Sequence, residues 1–185
     1  MPSYKFRVLI DTDSSEEIFR DISVGSHENF EIFYRAILTA FEFSGQELAS
    51  FYVSNKEWDK GHEVALMDMG LNDSLSAPSI MKETILSDLV TSSNQRFILV
   101  YDFLRMWCFL IELVEELDET YENPQLELSV GIAPDELSKD IDFSGDMNMG
   151  SMDLGNDIDD IFSDSGEDDD FDEFDDFENI DDMDI

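Results

Sequence analysis

The stretch that decides the fold is RFILVYDFLRMWCFLIELVEE, Arg96 to Glu116, the longest region of the chain dense in β-branched, aromatic and aliphatic residues. Arg96 to Tyr101 reads as one strand, Asp102 to Met106 (DFLRM) as a turn, and the half beginning at Trp107 as a returning strand. Trp107, Phe109, Ile111 and Leu113 then share one face, with Cys108, Leu110, Glu112 and Val114 on the other, and Glu112 marks the wetter side. A buried helix from Leu104 to Leu117 would also gather Leu110, Leu113, Val114 and Leu117, with no Pro or Gly to forbid it. The alternation favours the strand, and with it a hairpin at the centre of the core.

Upstream of this hairpin, Tyr4, Phe6, Val8 and Ile10 alternate with Lys5, Arg7 and Leu9, the pattern of a half-buried strand. Asp11 to Ser15 turns the chain, and Ile18 to Val24 reads as a second strand closing an N-terminal hairpin. Asn29 is placed to cap a helix from Phe30 to about Phe41, whose Phe30, Phe33, Tyr34, Ile37 and Phe41 form an apolar stripe at helical period. That stripe is expected to pack on a sheet. Leu48 to Val53 reads as a strand, Glu63 to Met69 as a possible short one, and Met81 to Leu89 as a short helix. Leu126 to Val130 fits either a final strand or an arm lying along the domain.

The fold class expected is α+β, a small single domain with a mostly antiparallel sheet packed against one or two helices, followed by a disordered acidic C-terminal tail. The division falls after Leu137, giving a domain over 1–137 and a tail over 138–185. The chain carries 46 acidic and 10 basic residues, a formal net charge of −36. Of this, −17 belongs to the first 137 residues and −19 to the last 48, where helical and strand periodicity is lost. Ile158, Ile161, Phe162 and Ile180 punctuate that acidic run, and Phe171, Phe174 and Phe177 recur every three residues, a composition found in segments that bind partners by partial folding.

Such a charge repels phosphate backbones and anionic membranes and attracts basic partners, so direct nucleic-acid backbone binding and membrane binding are not expected and a basic protein partner is. No run of 18 apolar residues offers a membrane span. The start MPSYKFRVLI is interrupted by Asp11, Asp13, Glu16 and Glu17 before a secretory core can form, and a cytoplasmic location is the default expectation.

Catalytic motifs are scarce. Neither a phosphate-binding glycine loop nor a nucleophile elbow is present, the lone Cys108 reads as a small buried hydrophobe, and His27 and His62 read as loop residues. Asp102, directly after a core strand, is the weak catalytic candidate; capping its own turn is the commoner role of such a residue. With Arg105 and Trp107 it forms the candidate binding cluster of the folded part, as Phe171, Phe174 and Phe177 do for the tail. No cofactor or dedicated metal site is expected. Asp146, Asn148 and Gly150 alternate as calcium ligands do, but Ser151 and Asp157 stand where the loop needs Gly and Glu, and only weak nonspecific divalent-cation association by the tail is expected.

The motifs YKFRVLI, IFR at Ile18 to Arg20, AILTAFEF at Ala36 to Phe43, Phe51 with Tyr52, YDFLRMW at Tyr101 to Trp107 and VGIAPDE at Val130 to Glu136 resemble the plasmid pRiA4b ORF-3-like family, also labelled as TnpR-like passenger proteins of an IS1096-type mobile element. The resemblance spans roughly residues 4 to 136. It implies an α+β fold with a mostly antiparallel sheet and no defined reaction. The family shows Y-D-F-G-D-x-W where this chain has Leu104 and Arg105 in place of Gly and the second acid, and Phe109 stands where a His is frequent.

Three functions follow as expectations. The first is a non-enzymatic intracellular interaction protein that engages a basic partner through its acidic surface and tail. The second is a degenerate or unrecognised hydrolase or nucleic-acid-processing factor with a pocket around Asp102. The third is a nucleic-acid mimic.

Overall fold

The computed structural model describes residues 1–70 and 77–141. The tail from residue 142 onward, with Phe171, Phe174, Phe177 and the spacing at Asp146, lies outside the described residues.

Within the described part the elements run β1 (Ser3–Ile10), β2 (Phe19–Gly25), α1 (Phe30–Ala40), β3 (Ala49–Ser54), β4 (Lys60–Ala65), β5 (Ser79–Ile80), α2 (Leu86–Leu89), β6 (Arg96–Tyr101), β7 (Trp107–Leu117) and β8 (Gln125–Val130). One eight-stranded sheet holds all the strands in the order β5-β4-β3-β6-β7-β1-β2-β8. Every neighbouring pair is antiparallel except β4 with β5. The α+β class and the mostly antiparallel sheet thus hold.

The central hairpin forms as its alternation requires, with Tyr101 opposite Trp107 and Arg96 opposite Glu112. Phe97, Leu99 and Tyr101 on β6 and Trp107, Phe109, Ile111 and Leu113 on β7 are buried on one face. The helical alternative for this stretch is excluded. Tyr4, Phe6, Val8 and Ile10 of β1 join the same face.

Over that face lies α1. The Asn29 side chain accepts from the Ile32 amide at 3.0 Å, and Glu31 sits in the first turn, where the backbone dipole favours a negative charge. Phe30, Phe33, Tyr34, Ile37 and Leu38 are buried. Phe33 packs against Phe6 at a ring separation of 4.8 Å and stacks on Phe51 at 5.9 Å, while Phe30 meets Phe51 and Phe97 edge-on at 5.1 and 5.4 Å.

At the far end Arg20, the basic residue of the IFR motif, is buried. Its Nε donates to the Ala40 carbonyl at 3.1 Å, its Nη1 to the Phe19 and Val130 carbonyls, both at 2.8 Å, and its guanidinium lies 4.8 Å from the centre of the Phe41 ring. It therefore ties the helix end to β2 and β8. Burial lowers its pKa, but guanidinium basicity leaves it charged.

Two expectations are corrected. The helix foreseen over Met81 to Leu89 is confined to Leu86–Leu89. The Met81 amide donates to the Ala65 carbonyl, and the Met81 and Thr84 carbonyls accept from the Glu31 and Phe30 amides, so the earlier residues are spent on β4 and on the start of α1. The strand foreseen at Glu63 to Met69 lies instead at Lys60–Ala65, because its pairing with β3 sets Lys60 opposite Ser54 and Ala65 opposite Ser50. His62 accordingly stands on a strand, its Nε2 2.7 Å from the Ser79 hydroxyl. Between the two readings left open for Leu126 to Val130, the strand is correct: β8 is an edge strand on β2.

Phe33 of α1 lies in the core and Val114 is 44% exposed on the other face of the sheet, so truncating Phe33 to Ala is expected to cost about 3–5 kcal/mol, whereas Val114→Ala stays within about 0.5 kcal/mol. Urea unfolding of the two variants measures both, and equal costs would contradict this placement of the core.

Candidate functional site

The turn between β6 and β7 is built around Asp102, whose backbone takes the left-handed conformation at φ 57°, as does that of Met106 at φ 55°. Asp tolerates this region better than most side chains because its short carboxylate can bond locally. Oδ1 accepts from the Leu104 and Arg105 amides at 3.1 and 3.2 Å, and Oδ2 accepts from Arg105 Nη1 at 3.2 Å. The Asp102 amide donates to the Leu48 carbonyl at 2.9 Å, and its carbonyl accepts from the Met106 amide at 2.6 Å. Asp102 is buried and its carboxylate engaged by its own turn.

Trp107 begins β7 and points into the core, edge-on to Phe43 with ring centres 5.2 Å apart. Its indole Nε1 donates to the Glu136 carbonyl at 3.0 Å, and Lys139 Nζ lies 5.3 Å from its ring centre while donating to the Met106 carbonyl at 2.7 Å. The structure thus joins Asp102 to Arg105 but directs Trp107 elsewhere. Trp107 lines a cavity of about 240 Å³ with Asp11, Asp13, Pro134 and Lys139 rather than with Asp102 and Arg105.

The residue that organises this end of the domain is Glu136. Its Oε1 accepts from the Tyr101 hydroxyl at 2.5 Å and the Ser44 hydroxyl at 2.9 Å, and its Oε2 accepts from the Ser44 amide at 2.8 Å. Partial burial pushes its pKa up, but these hydrogen bonds outweigh that and hold it below the usual carboxylate range. Burial and the bond to Glu136 both raise the Tyr101 phenol.

Sequence reasoning placed Glu136 in a motif but gave it and Ser44 no role. The two stand 92 positions apart, and no local pattern links them. Chemically, both carboxylates, Asp102 and Glu136, serve as acceptors for donors of their own chain.

Cys108 is half-buried on the face away from α1, and burial raises its pKa, which favours the thiol over the reactive thiolate. Among the described residues no group of three His, Cys, Asp or Glu side chains is placed to hold a metal ion, and no helix is long and apolar enough to cross a membrane.

The sequence model of the plasmid pRiA4b ORF-3-like protein family matches residues 2–144. No curated protein matches at a significant level. Among solved structures, a protein of unknown function from Methanosarcina mazei Go1 is similar, with a TM-score of 0.58, 22% identity and 69% of each chain covered. At that identity the likeness speaks for the fold alone.

Because Glu136 titrates below its ordinary range, its contribution to stability is fully present above the unfolded carboxylate pKa and is lost as pH falls through the lowered folded value. Glu136→Gln, which removes the charge and leaves one acceptor oxygen where the carboxylate has two, is expected to lower the thermal midpoint at neutral pH. The gap from the parent should close in the acid range; a gap independent of pH would show that the charge plays no part.

Proposed function

This chain belongs to the plasmid pRiA4b ORF-3-like protein family, and within that family we propose that it is a non-enzymatic cytoplasmic interaction protein that engages a basic partner through its acidic surface and tail. The observation that carries this reading is the charge. Against 46 acidic residues stand 10 basic ones. Lys5, Arg7, Arg35, Arg96 and Arg105 each lie within 4.0 Å of a carboxylate, on Glu115, Asp21, Glu31, Glu112 and Asp102 respectively. Arg20 and Lys139 are bonded to carbonyls. The cations are largely matched at home, and the unmatched carboxylates leave a strongly negative surface that a basic partner complements.

The reading also accounts for Asp102, whose carboxylate is occupied by Leu104, Arg105 and the geometry of its turn. A carboxylate so engaged is poorly placed to take a proton from a substrate.

Affinity capture with the full chain and with a chain cut after Ile141, which keeps Glu136 and Lys139, tests this function. Basic proteins are expected on the full chain at about 0.1 M salt, fewer on the shortened one, and loss from both near 1 M, where the screening length falls from about 10 Å to about 3 Å. The same proteins held by both chains at both salt concentrations would refute a charge-driven role for surface and tail. Turnover abolished by Asp102→Asn would instead establish an enzyme.

A further inference from the structure

The tip of the central hairpin is made of the wrong residues for a solvent-facing turn. Turns favour Gly, Asn, Asp and Ser, yet this one presents Phe103, Leu104 and Met106, between 39% and 47% exposed, on a backbone with two non-glycine residues in the left-handed region. The turn is not loose. The three hydrogen bonds to Asp102 and the bond from the Met106 amide to the Asp102 carbonyl fix its path. A hydrogen-bonded turn with left-handed non-glycine residues that holds large apolar side chains in water has the character of a contact surface.

Phe103 does not stand alone. It shares the walls of a cavity of about 300 Å³ with Met67 and Met69, which follow β4 and are 49% and 57% exposed, and with the carboxylates Glu63 and Asp68. Glu63 is positioned, since its Oε1 accepts from the Ser50 hydroxyl at 2.7 Å. Methionine side chains are flexible and polarizable and adapt to differently shaped apolar partners. Carboxylates beside such a pocket, in a domain of net charge −17 over its first 137 residues, select against an acidic occupant and favour a basic one.

We infer that this hairpin tip and cavity dock a basic amphipathic segment of a partner protein. An apolar side chain of that segment enters between Phe103, Met67 and Met69, and flanking Lys or Arg side chains face Glu63 and Asp68. The inference rests on the basic-partner reading above and adds to it the place on the folded domain where contact is made. Long-range charge brings the segment in, and burial of the apolar side chain holds it.

Fluorescence anisotropy with labelled synthetic peptides of about 18 residues, some five helical turns, tests this on the full chain. Three patterns are compared: amphipathic Leu/Lys, amphipathic Leu/Glu, and Lys/Ser without an apolar face. The Leu/Lys peptide is expected to bind more tightly than either other peptide at about 0.1 M salt and, like the basic partners, to be released near 1 M. Phe103→Ser with Leu104→Ser, and independently Met67→Gln with Met69→Gln, are each expected to weaken it about tenfold or more, while Ile132→Ser, at a residue 90% exposed elsewhere, leaves it unchanged.

Parental affinity in both double variants, with circular dichroism unchanged, would overturn the docking site and leave the charge reading standing. So would a Lys/Ser peptide that binds as well as Leu/Lys. Equal binding of Leu/Glu and Leu/Lys would overturn the charge reading instead, and failure of every peptide would overturn both. A concentration-dependent dimer in sedimentation, abolished by the Phe103→Ser/Leu104→Ser pair, would make a second copy of this chain the occupant and overturn the assignment to a partner.

Discussion

The structure depends on the burial of one aromatic stripe. Phe30, Phe33, Tyr34 and Ile37 of α1 cover the inner face of the central strands, where Phe6, Phe51, Phe97 and Tyr101 meet them. A sheet with one apolar face must be covered, and each aromatic side chain buries about 150–250 Å². The large rings let a helix of 11 residues cover the centre of an eight-stranded sheet. The other face of the sheet carries cross-strand ion pairs such as Arg7 with Asp21 and Arg96 with Glu112.

A set of polar anchors near the rim of the aromatic core brings distant chain segments together. Arg20 reaches the end of α1 and β8, Trp107 reaches the Glu136 carbonyl, and Tyr101 with Ser44 holds the Glu136 carboxylate. Each places a donor from one element against an acceptor from another, which offsets the cost of removing those groups from water. The segment after β8 is thereby held against the central hairpin, whose tip leaves Phe103, Leu104 and Met106 facing solvent. The accounting is not complete everywhere: the buried Tyr34 hydroxyl has no partner among the described residues, and burial raises its pKa.

Charge and apolar exposure act together in the proposed function. A surface of unmatched carboxylates draws basic partners over distance but discriminates weakly among them, because Coulomb attraction in water depends little on shape. Discrimination requires a site where size and hydrophobicity matter. In the proposed docking the Phe103 cavity is that site, lined also by the carboxylates Glu63 and Asp68.

What the sequence determined by itself was everything carried by local period and local hydrogen bonding. The two-residue alternation at Tyr4 to Ile10 and Trp107 to Leu113, the helical stripe from Phe30 onward and the Asn29 cap all appear where their spacing puts them. The capping role of Asp102 was legible too, since Asp in a turn bonds to the amides that follow it. Tertiary structure decided the rest: that β8 lies on the edge of β2, that residues before Leu86 give their backbone groups to β4 and α1 instead of a helix, and that Glu136 is held by residues 35 and 92 positions away. Periodicity records which face of a segment is apolar, whereas its choice of neighbour is settled only when distant segments compete to bury the same surface and satisfy the same backbone groups.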